Sequence, residues 1–246
     1  MKNEACSRQH EGHPAVAVMQ PYLFPYIGYW QLISAVDVFV VYDNIKYTKK
    51  GWINRNRMLV NRSDAVFSVP LARGSDFLDI RDRELAGDHD PRKLLGRFEA
   101  AYARAPQFAA TFPLVERVLR QPERNLFGFL HGSIVETCRH LGLAARILVS
   151  SEVAGADHGL RGSERVLSLC RALGARRYVN AIGGTALYAK EDFAASGVSL
   201  QFVRSRPFEY PQFGGDFVPW LSIVDVLMFN PLAQVQECID AGYDLV

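Results

Sequence analysis

The chain has 246 residues, of which 49% are hydrophobic and 22% charged, an ordinary globular composition that suits one large domain or a domain with an insertion. Its net charge of +2, with both signs interspersed, argues against nucleic-acid binding, and its four cysteines form no CxxC pair typical of a zinc site. No apolar stretch approaches the roughly 18–20 residues of a membrane span, and the polar N-terminus has no apolar signal core. We therefore expect a soluble, cytoplasmic protein without membrane insertion.

The N-terminal half begins with a tail of residues 1–13, which we expect to be disordered, followed by the pattern of a βαβ unit. The apolar run AVAVMQ predicts a strand, YWQLISAVD has apolar residues at helical spacing, and VFVVYD predicts a second, largely β-branched strand. This order predicts two parallel strands joined by a right-handed crossover. Further on, VFSVPL predicts a third strand.

The rest of the chain continues the alternation of helices and strands. A predominantly helical block is predicted from about residue 91 to residue 142, and its clearest helix, ERNLFGFLHGSIVETCRHL, precedes a terminating Gly142. Apolar strands (RILVSSE, RRYVNA and VSLQFVR) then alternate with helices (SERVLSLCRAL, TALYAKEDFAASG and FVPWLSIVDVLMFN). The pattern predicts an α/β fold: a mostly parallel, Rossmann-like sheet with flanking helices and a helical insertion at about 91–142. We expect a single domain spanning residues 14–246.

An uncharged aromatic turn, QPYLFPYIGYW, follows the first predicted strand and begins at Gln20. Parallel α/β sheets bind ligands at the carboxyl ends of their strands, which is where this turn lies. Tyr22 and Tyr26 supply flat faces for stacking on a base or sugar, and Gly28 allows close backbone approach at the start of the next helix. We interpret the turn as one wall of a binding site. An aromatic plug that closes the end of the sheet is the alternative.

A basic segment, NIKYTKKGWINRNR, follows the second strand after Asp43. Arginine offers bidentate hydrogen bonds to phosphate or carboxylate, lysine acts as a point charge, and the interleaved tryptophan is a stacking surface. The residues expected to bind substrate here are Lys46, Lys49, Trp52, Asn54, Arg55, Asn56 and Arg57. The alternative is a solvated basic loop.

Further polar residues follow the strands of the second half. Ser151 and Glu152 end one strand, and Asn180 ends the next, so the sheet edge that carries Gln20 and Asp43 also collects these side chains. Backbone amides in IGGT suit an oxyanion or phosphate, although a plain tight turn fits that sequence equally well. The candidate substrate-binding residues of this half are Ser151, Glu152, Asn180, Gly183, Gly184 and Tyr188.

Three residues are candidate proton-transfer groups: Asp43, Asp225 and His158. Asp225 lies inside an apolar helix, where a carboxylate must find donors or take up a proton. It is therefore a base, an ion-pair partner of Arg55 or Arg57, or a structural cap. His158 lies in the polar loop AGADHGLRGSE, and Asp43 ends the second strand at the ligand edge. The sequence predicts no metal site.

The position of PYIGYW after the first strand is similar to that of the His-x-Gly-His turn of nucleotidylyltransferases. In this chain Tyr26 and Tyr29 stand where that motif has its two histidines. Nucleotidyl transfer from a nucleoside triphosphate is therefore an alternative function.

The segments QPYLFPYIGYWQLISAVDVFVVYDNIKYTKKGWINRNR, SSE, SERVLSLCRALGARRYVNAIGGTALY and FVPWLSIVDVLMFN together resemble the WbqC-like family, from about Val16 to Pro231. The resemblance implies an enzyme of surface-glycan or related small-molecule biosynthesis. It would join an acyl or aminoacyl unit to a nucleotide-linked amino sugar or act on a carrier-bound acyl group. No cofactor is predicted beyond a phosphopantetheine- or CoA-linked donor, and an acyl or peptidyl carrier protein is an expected partner. A non-catalytic scaffold for glycan assembly is the remaining alternative.

Overall fold

The computed structural model of the chain describes residues 12–246. The predicted N-terminal tail of residues 1–13 lies outside the described residues, apart from Gly12 and His13.

The described residues contain a central sheet of six strands and a separate hairpin. In chain order the strands are β1 (Ala15–Met19), β2 (Val38–Val41), β3 (Arg55–Val60), β4 (Ser63–Ser68), β5 (Arg146–Val149), β6 (Arg177–Ala181), β7 (Ser199–Ser205) and β8 (Tyr243–Leu245). The central sheet has the order β5-β2-β1-β6-β7-β8, and β3 and β4 form the hairpin. All neighbours in the central sheet are parallel except β7 and β8, so the prediction of a mostly parallel α/β sheet is confirmed.

The central strands are apolar on both faces because helices cover both sides of the sheet. In β1, Ala15 and Ala17 belong to one hydrophobic core, whereas Val16 and Val18 belong to the other. Successive side chains of a strand point to opposite faces, so a strand buried on both sides reads as a continuous apolar run rather than an alternating one. This explains the composition of AVAVM and VFVV.

Eight α-helices surround these strands in the described part of the chain. They are α1 (Ile27–Ser34), α2 (Pro91–Tyr102), α3 (Phe108–Leu119), α4 (Leu126–Leu141), α5 (Gly162–Ala172), α6 (Lys190–Ala195), α7 (Ile223–Phe229) and α8 (Leu232–Ala241). Helices α2 to α4 occupy the block predicted to be helical, and α4 ends at Gly142, which adopts a left-handed φ of +71°. Whether this block is an insertion into one domain stays a prediction. None of the helices in residues 12–246 is long and apolar enough to cross a membrane.

Three local predictions differ from the structure. The predicted strand VFSVPL is partly contained in β4, which pairs antiparallel with β3 outside the central sheet. The predicted helix after Asn180 is instead a 3-10 turn, Ile182–Gly184, followed by the short α6. The predicted helix SERVLSLCRAL begins one residue earlier, at Gly162, with Arg161 as its N-cap and no side-chain cap. The first difference concerns strand pairing, which a local apolar run does not specify. The other two arise at helix ends and a turn, where periodicity carries the least information.

Candidate functional site

A cavity of about 1360 Å³ lies at the carboxyl ends of β1 and β6. Strand β1 has β2 on one side and β6 on the other, so the chain order reverses at this place in the sheet. Open parallel sheets bind ligands at such a switch point, since the loops after the two strands diverge there and leave a crevice. The cavity is larger than most pockets for small molecules, which hold about 300–1,000 Å³.

The aromatic turn after β1 forms both a plug and a wall. Leu23, Phe24 and Trp30 are fully buried, and the indole nitrogen of Trp30 donates to the carbonyl of Pro25 at 3.1 Å. Asn56 Nδ2, on β3, donates to the carbonyls of Leu23 and Phe24 at 3.1 and 2.9 Å, which fixes the turn against the hairpin. The two interpretations of this segment therefore apply to different side chains.

The wall consists of tyrosines from the same turn. Tyr22, Tyr26 and Tyr29 line the cavity, and burial raises the pKa of all three, so their hydroxyl groups remain hydrogen-bond donors even in alkaline solution. A Cβ atom on Gly28 would lie 2.5 Å from the hydroxyl oxygen of Tyr26, so only glycine lets that ring fold back over the start of α1. Gly28 thus acts through Tyr26 rather than by lining the cavity itself.

The lining of the cavity holds more cations than carboxylates, although Arg57 and Arg81 also pair with carboxylates outside the lining: Arg57 with Asp64, and Arg81 with Asp43 and Asp82. Its charged members are the cations Lys46, Arg57, Arg81, Arg161 and Arg165 and the single carboxylate Asp79. A concave surface with one dominant sign of charge concentrates the opposite charge inside it. The cavity therefore favours an anionic ligand.

Arg165 is held rigidly at the wall formed by the start of α5. Its Nη1 donates to the carbonyl of Asn44 at 3.2 Å and its Nη2 to the carbonyl of His158 at 2.8 Å. Its guanidinium lies over the ring of Tyr42, and its Nε is buried without a hydrogen-bond partner in the described residues. The N-terminus of α5, which no side chain caps, begins at Gly162 in the same lining. Free amides at a helix N-terminus and a nearby arginine suit phosphate oxygens.

The mouth of the cavity combines Arg57 of the hairpin with aromatic and apolar side chains from other segments. The guanidinium of Arg57 lies 5.5 Å from the ring centroid of Trp52, and its Nη2 donates to the carbonyl of Trp220 at 3.1 Å. Trp220 adopts a left-handed φ of +62°, unusual for a bulky residue, and its ring contacts that of Tyr26 edge-on. Both tryptophans are partly exposed, and Phe77 and Leu187, also exposed, lie in the same lining.

Asp43 is a buried carboxylate that joins the ends of β2 and β5. Its Oδ1 accepts from Ser150 Oγ at 2.8 Å and from the amide of Ser151 at 3.0 Å, and its Oδ2 accepts from Ser151 Oγ at 2.6 Å. Burial alone would raise the pKa of Asp43, but hydrogen bonds from Ser151 and Ser150 outweigh it and the pKa is lowered. Asp43 does not line the cavity, and a carboxylate with a lowered pKa is a weak base, so this geometry favours a structural role.

Asp225 is fully buried at the start of α7, away from the cavity lining. It accepts hydrogen bonds from the hydroxyls of Tyr102 and Tyr210 at 2.8 and 2.7 Å and from Gln212 Nε2 at 2.8 Å. Burial raises the pKa of Asp225, and these three donors offset the shift only in part. These contacts favour a structural role for Asp225 over a role as a catalytic base. Within the described residues, Asp225 forms no ion pair with Arg55 or Arg57.

The remaining candidate residues divide into two groups. Those that line the cavity are Gln20, Tyr22, Tyr26, Lys46, Trp52, Asn56, Arg57, Ser151, His158, Asn180, Gly183, Gly184 and Tyr188. Those outside the lining are Gly28, Asp43, Lys49, Asn54, Arg55, Glu152 and Asp225.

The binding candidates outside the lining have local roles. Lys49 pairs with Asp76 at the surface, and Arg55 donates to the carbonyls of Gly51 and Lys50 in its own loop. Asn54 accepts from the hydroxyl of Tyr47 and donates to a backbone carbonyl. Alternation in β3 puts Arg55 and Arg57 on one face, yet only Arg57 reaches the cavity.

Several residues of the lining are not among those predicted from the sequence. They are Tyr42, Phe77, Asp79, Arg81, Arg161, Arg165 and Trp220. Arg161 is the N-cap of α5 and Arg165 lies in its first turn, and the rule that anions bind near helix N-termini would have indicated both. No group of three His, Cys, Asp or Glu side chains within residues 12–246 is placed to hold a metal ion.

Comparison with known proteins gives a family and one relative. A model of the WbqC-like protein family matches residues 20–237. A Mycobacterium tuberculosis protein named "Uncharacterized protein Rv1507c" is 27% identical over 225 residues, covering 90% of this chain and 96% of the relative. No solved structure matches the chain.

Proposed function

Since the chain belongs to the WbqC-like protein family, we propose that it is a cytoplasmic transferase of surface-glycan or related small-molecule biosynthesis. Its substrate is a nucleotide-linked amino sugar, and the group transferred to that sugar is an acyl or aminoacyl unit. One observation carries the proposal: the cavity at the switch point of the sheet is lined by five cations and one carboxylate. Such a surface suits a diphosphate.

The strand order supports a nucleotide ligand. Numbered within the central sheet alone, the order is 3-2-1-4-5-6, the order of doubly wound sheets that bind dinucleotides across the same crevice. In those sheets the diphosphate sits at a helix N-terminus. In those sheets that helix follows the first strand, whereas the helix N-terminus in this cavity is that of α5, which follows β5, is uncapped and has Arg161 and Arg165 beside it. We propose a Rossmann-like mode of binding on this basis.

The other lining residues take roles that follow from their chemistry. Tyr26, Trp52 and Trp220 stack on the base or sugar, and the amides of Gly183 and Gly184 stabilise an oxyanion that forms during transfer. His158, at the same cavity, is the candidate proton acceptor, in preference to Asp43 and Asp225.

The proposed donor is a phosphopantetheine- or CoA-linked acyl group, and in the phosphopantetheine-linked case a carrier protein presents it. Four exposed apolar side chains (Trp52, Phe77, Leu187 and Trp220) surround the mouth of one cavity. Exposed apolar groups gathered at one place favour contact with a partner. The basic side chains between them suit an acidic carrier surface.

The test is a calorimetric titration of the purified protein with UDP-glucosamine, dTDP-glucose, GDP-mannose and coenzyme A. We expect saturable binding of at least one nucleotide-sugar, and an affinity about five-fold weaker for Arg161→Gln. Arg161 has no ion pair among the described residues, so its substitution leaves the fold intact. Arg171→Gln is the matched control, because it removes a cation from the other end of α5, outside the cavity. Absence of nucleotide-sugar binding, or equal losses in the two variants, contradicts the proposal.

A further inference from the structure

Asp79 is the one carboxylate in the lining of the cavity, and the backbone on both sides of it is fixed. It pairs with Lys46 in an isolated antiparallel bridge. The amide of Ile80 donates to the carbonyl of Ile45 at 2.9 Å, and the carbonyl of Asp79 accepts from the amide of Asp82 at 3.1 Å. Two hydrogen bonds close to the residue thus hold it in place.

The carboxylate of Asp79 has no ion-pair or hydrogen-bond partner among residues 12–246, although two cations are its close neighbours in the chain or across the bridge. The Lys46 ammonium lies 4.3 Å from the ring centroid of Phe77. Arg81 turns toward Asp43 at 3.8 Å and Asp82 at 4.0 Å. Each cation that would neutralise Asp79 is directed elsewhere.

A half-buried carboxylate loses part of its hydration, and a cationic partner offsets that loss. In a cavity that otherwise selects anions, the partner of such a carboxylate is a positive group on the ligand. We propose that Asp79 binds the protonated primary amine of a ligand that also carries phosphate. This rests on the proposed function and deepens it, because it assigns the residue that recognises the free amine of the sugar.

The proposal makes the cavity selective for the free amine. An N-acetyl group cannot carry the positive charge, and a hydroxyl in its place forms only a neutral-donor hydrogen bond to the carboxylate. A hydrogen bond between two charged groups is stronger, so the amine should bind about ten-fold more tightly than either analogue.

The experiment compares glucosamine 1-phosphate, N-acetylglucosamine 1-phosphate and glucose 1-phosphate by calorimetric titration. These probes share the phosphate and differ at one position of the sugar. Each is titrated into the wild-type protein, into Asp79→Asn and into Asp76→Asn. Asp76 lies on the same loop but pairs with Lys49 outside the cavity, so it controls for the loss of one local carboxylate. Thermal unfolding checks that the variants fold. Asp79→Asn removes the charge and keeps the shape of the side chain, and Asp79→Ala removes the carboxyl group entirely.

The expected result is an amine preference of about ten-fold in the wild-type protein that disappears in Asp79→Asn and persists in Asp76→Asn. If all three probes bind the wild-type protein equally, or if Asp79→Asn and Asp79→Ala keep the preference, the inference is overturned while phosphate binding stands. If none of the probes binds the wild-type protein, the proposed phosphate site and the inference that rests on it are both contradicted.

Discussion

The hydroxyl of Tyr102 donates to Oδ2 of Asp225 at 2.8 Å and accepts from the amide of Leu59 at 2.8 Å. One side chain of α2 thereby joins α7 to β3, the strand that carries Arg57 to the mouth of the cavity. Tyr210 and Gln212 bind the other oxygen of Asp225. The carboxylate therefore connects the helical block, the hairpin and the segment that precedes Trp220.

Removal of the Tyr102 hydroxyl should destabilise the protein. Tyr102→Phe leaves the amide of Leu59 without its acceptor and Asp225 with one donor fewer, at a cost of about 1–3 kcal/mol in the free energy of unfolding. Urea denaturation measures this change. The control is Tyr243→Phe, since the buried hydroxyl of Tyr243 has no partner in the described residues and its loss should be neutral or stabilising. Equal effects of the two substitutions would contradict the assigned role of Tyr102.

The two buried aspartates should make opposite contributions to the pH dependence of stability. The pKa of Asp225 is raised above 3.8, so the folded state holds its proton more tightly than the unfolded state. The contribution of Asp225 to the free energy of unfolding is most favourable below pH 3.8 and falls as the pH rises through the pKa of the folded state. The pKa of Asp43 is lowered, so its contribution is complete above pH 3.8 and is lost as the pH falls through the folded pKa.

Unfolding free energies of the wild-type protein, Asp225→Asn and Asp43→Asn between about pH 3 and pH 7 test these signs. The free energy of unfolding of the wild-type protein minus that of Asp225→Asn should decrease with rising pH. The same quantity for Asp43→Asn should increase with rising pH. Parallel slopes for the two variants would show that one of the carboxylates is described wrongly.

A methyl group at position 28 should alter ligand binding more than stability. In Gly28→Ala the new Cβ displaces the ring of Tyr26, which then leaves its place in the cavity wall. We expect a loss of nucleotide-sugar affinity of about five-fold or more, from the stacking that Tyr26 provides. Gly96→Ala is the control: its Cβ meets nothing within 4 Å in α2, and alanine there should stabilise the helix by about 0.5–1 kcal/mol. Calorimetry and thermal unfolding report the two properties separately.

Tryptophan fluorescence should report the filling of the cavity. Trp30 is fully buried, whereas Trp52 is 42% and Trp220 is 64% exposed at the mouth. A ligand that stacks there should protect the emission from quenching by acrylamide, and the protection should shrink in Trp220→Phe. Unchanged quenching at a ligand concentration that saturates calorimetric binding would move the binding site away from these two rings.

The sequence predicted the strands of the sheet better than the residues that line the cavity. Local apolar runs such as AVAVM and VFVV report burial on two faces directly, and the parallel order then brings Gln20, Ser151 and Asn180 to one edge. Asp79 reaches the cavity because its segment forms a bridge with Lys46, which is far from it in the chain. A contact of this kind leaves no periodic pattern in the sequence. The sequence of α7 likewise shows a carboxylate among apolar residues but does not show that tyrosines from two other segments satisfy it.

In the proposed function, a phosphate-bearing ligand occupies the cavity between β1 and β6. Hydrogen–deuterium exchange with and without UDP-glucosamine tests it most directly, since exchange maps binding without a prior choice of residue. We expect slower exchange in three separate segments that contribute to the lining of the cavity: residues 44–52, 158–165 and 181–188. Protection confined to other parts of the described chain, or no protection in any of the three segments, would contradict it.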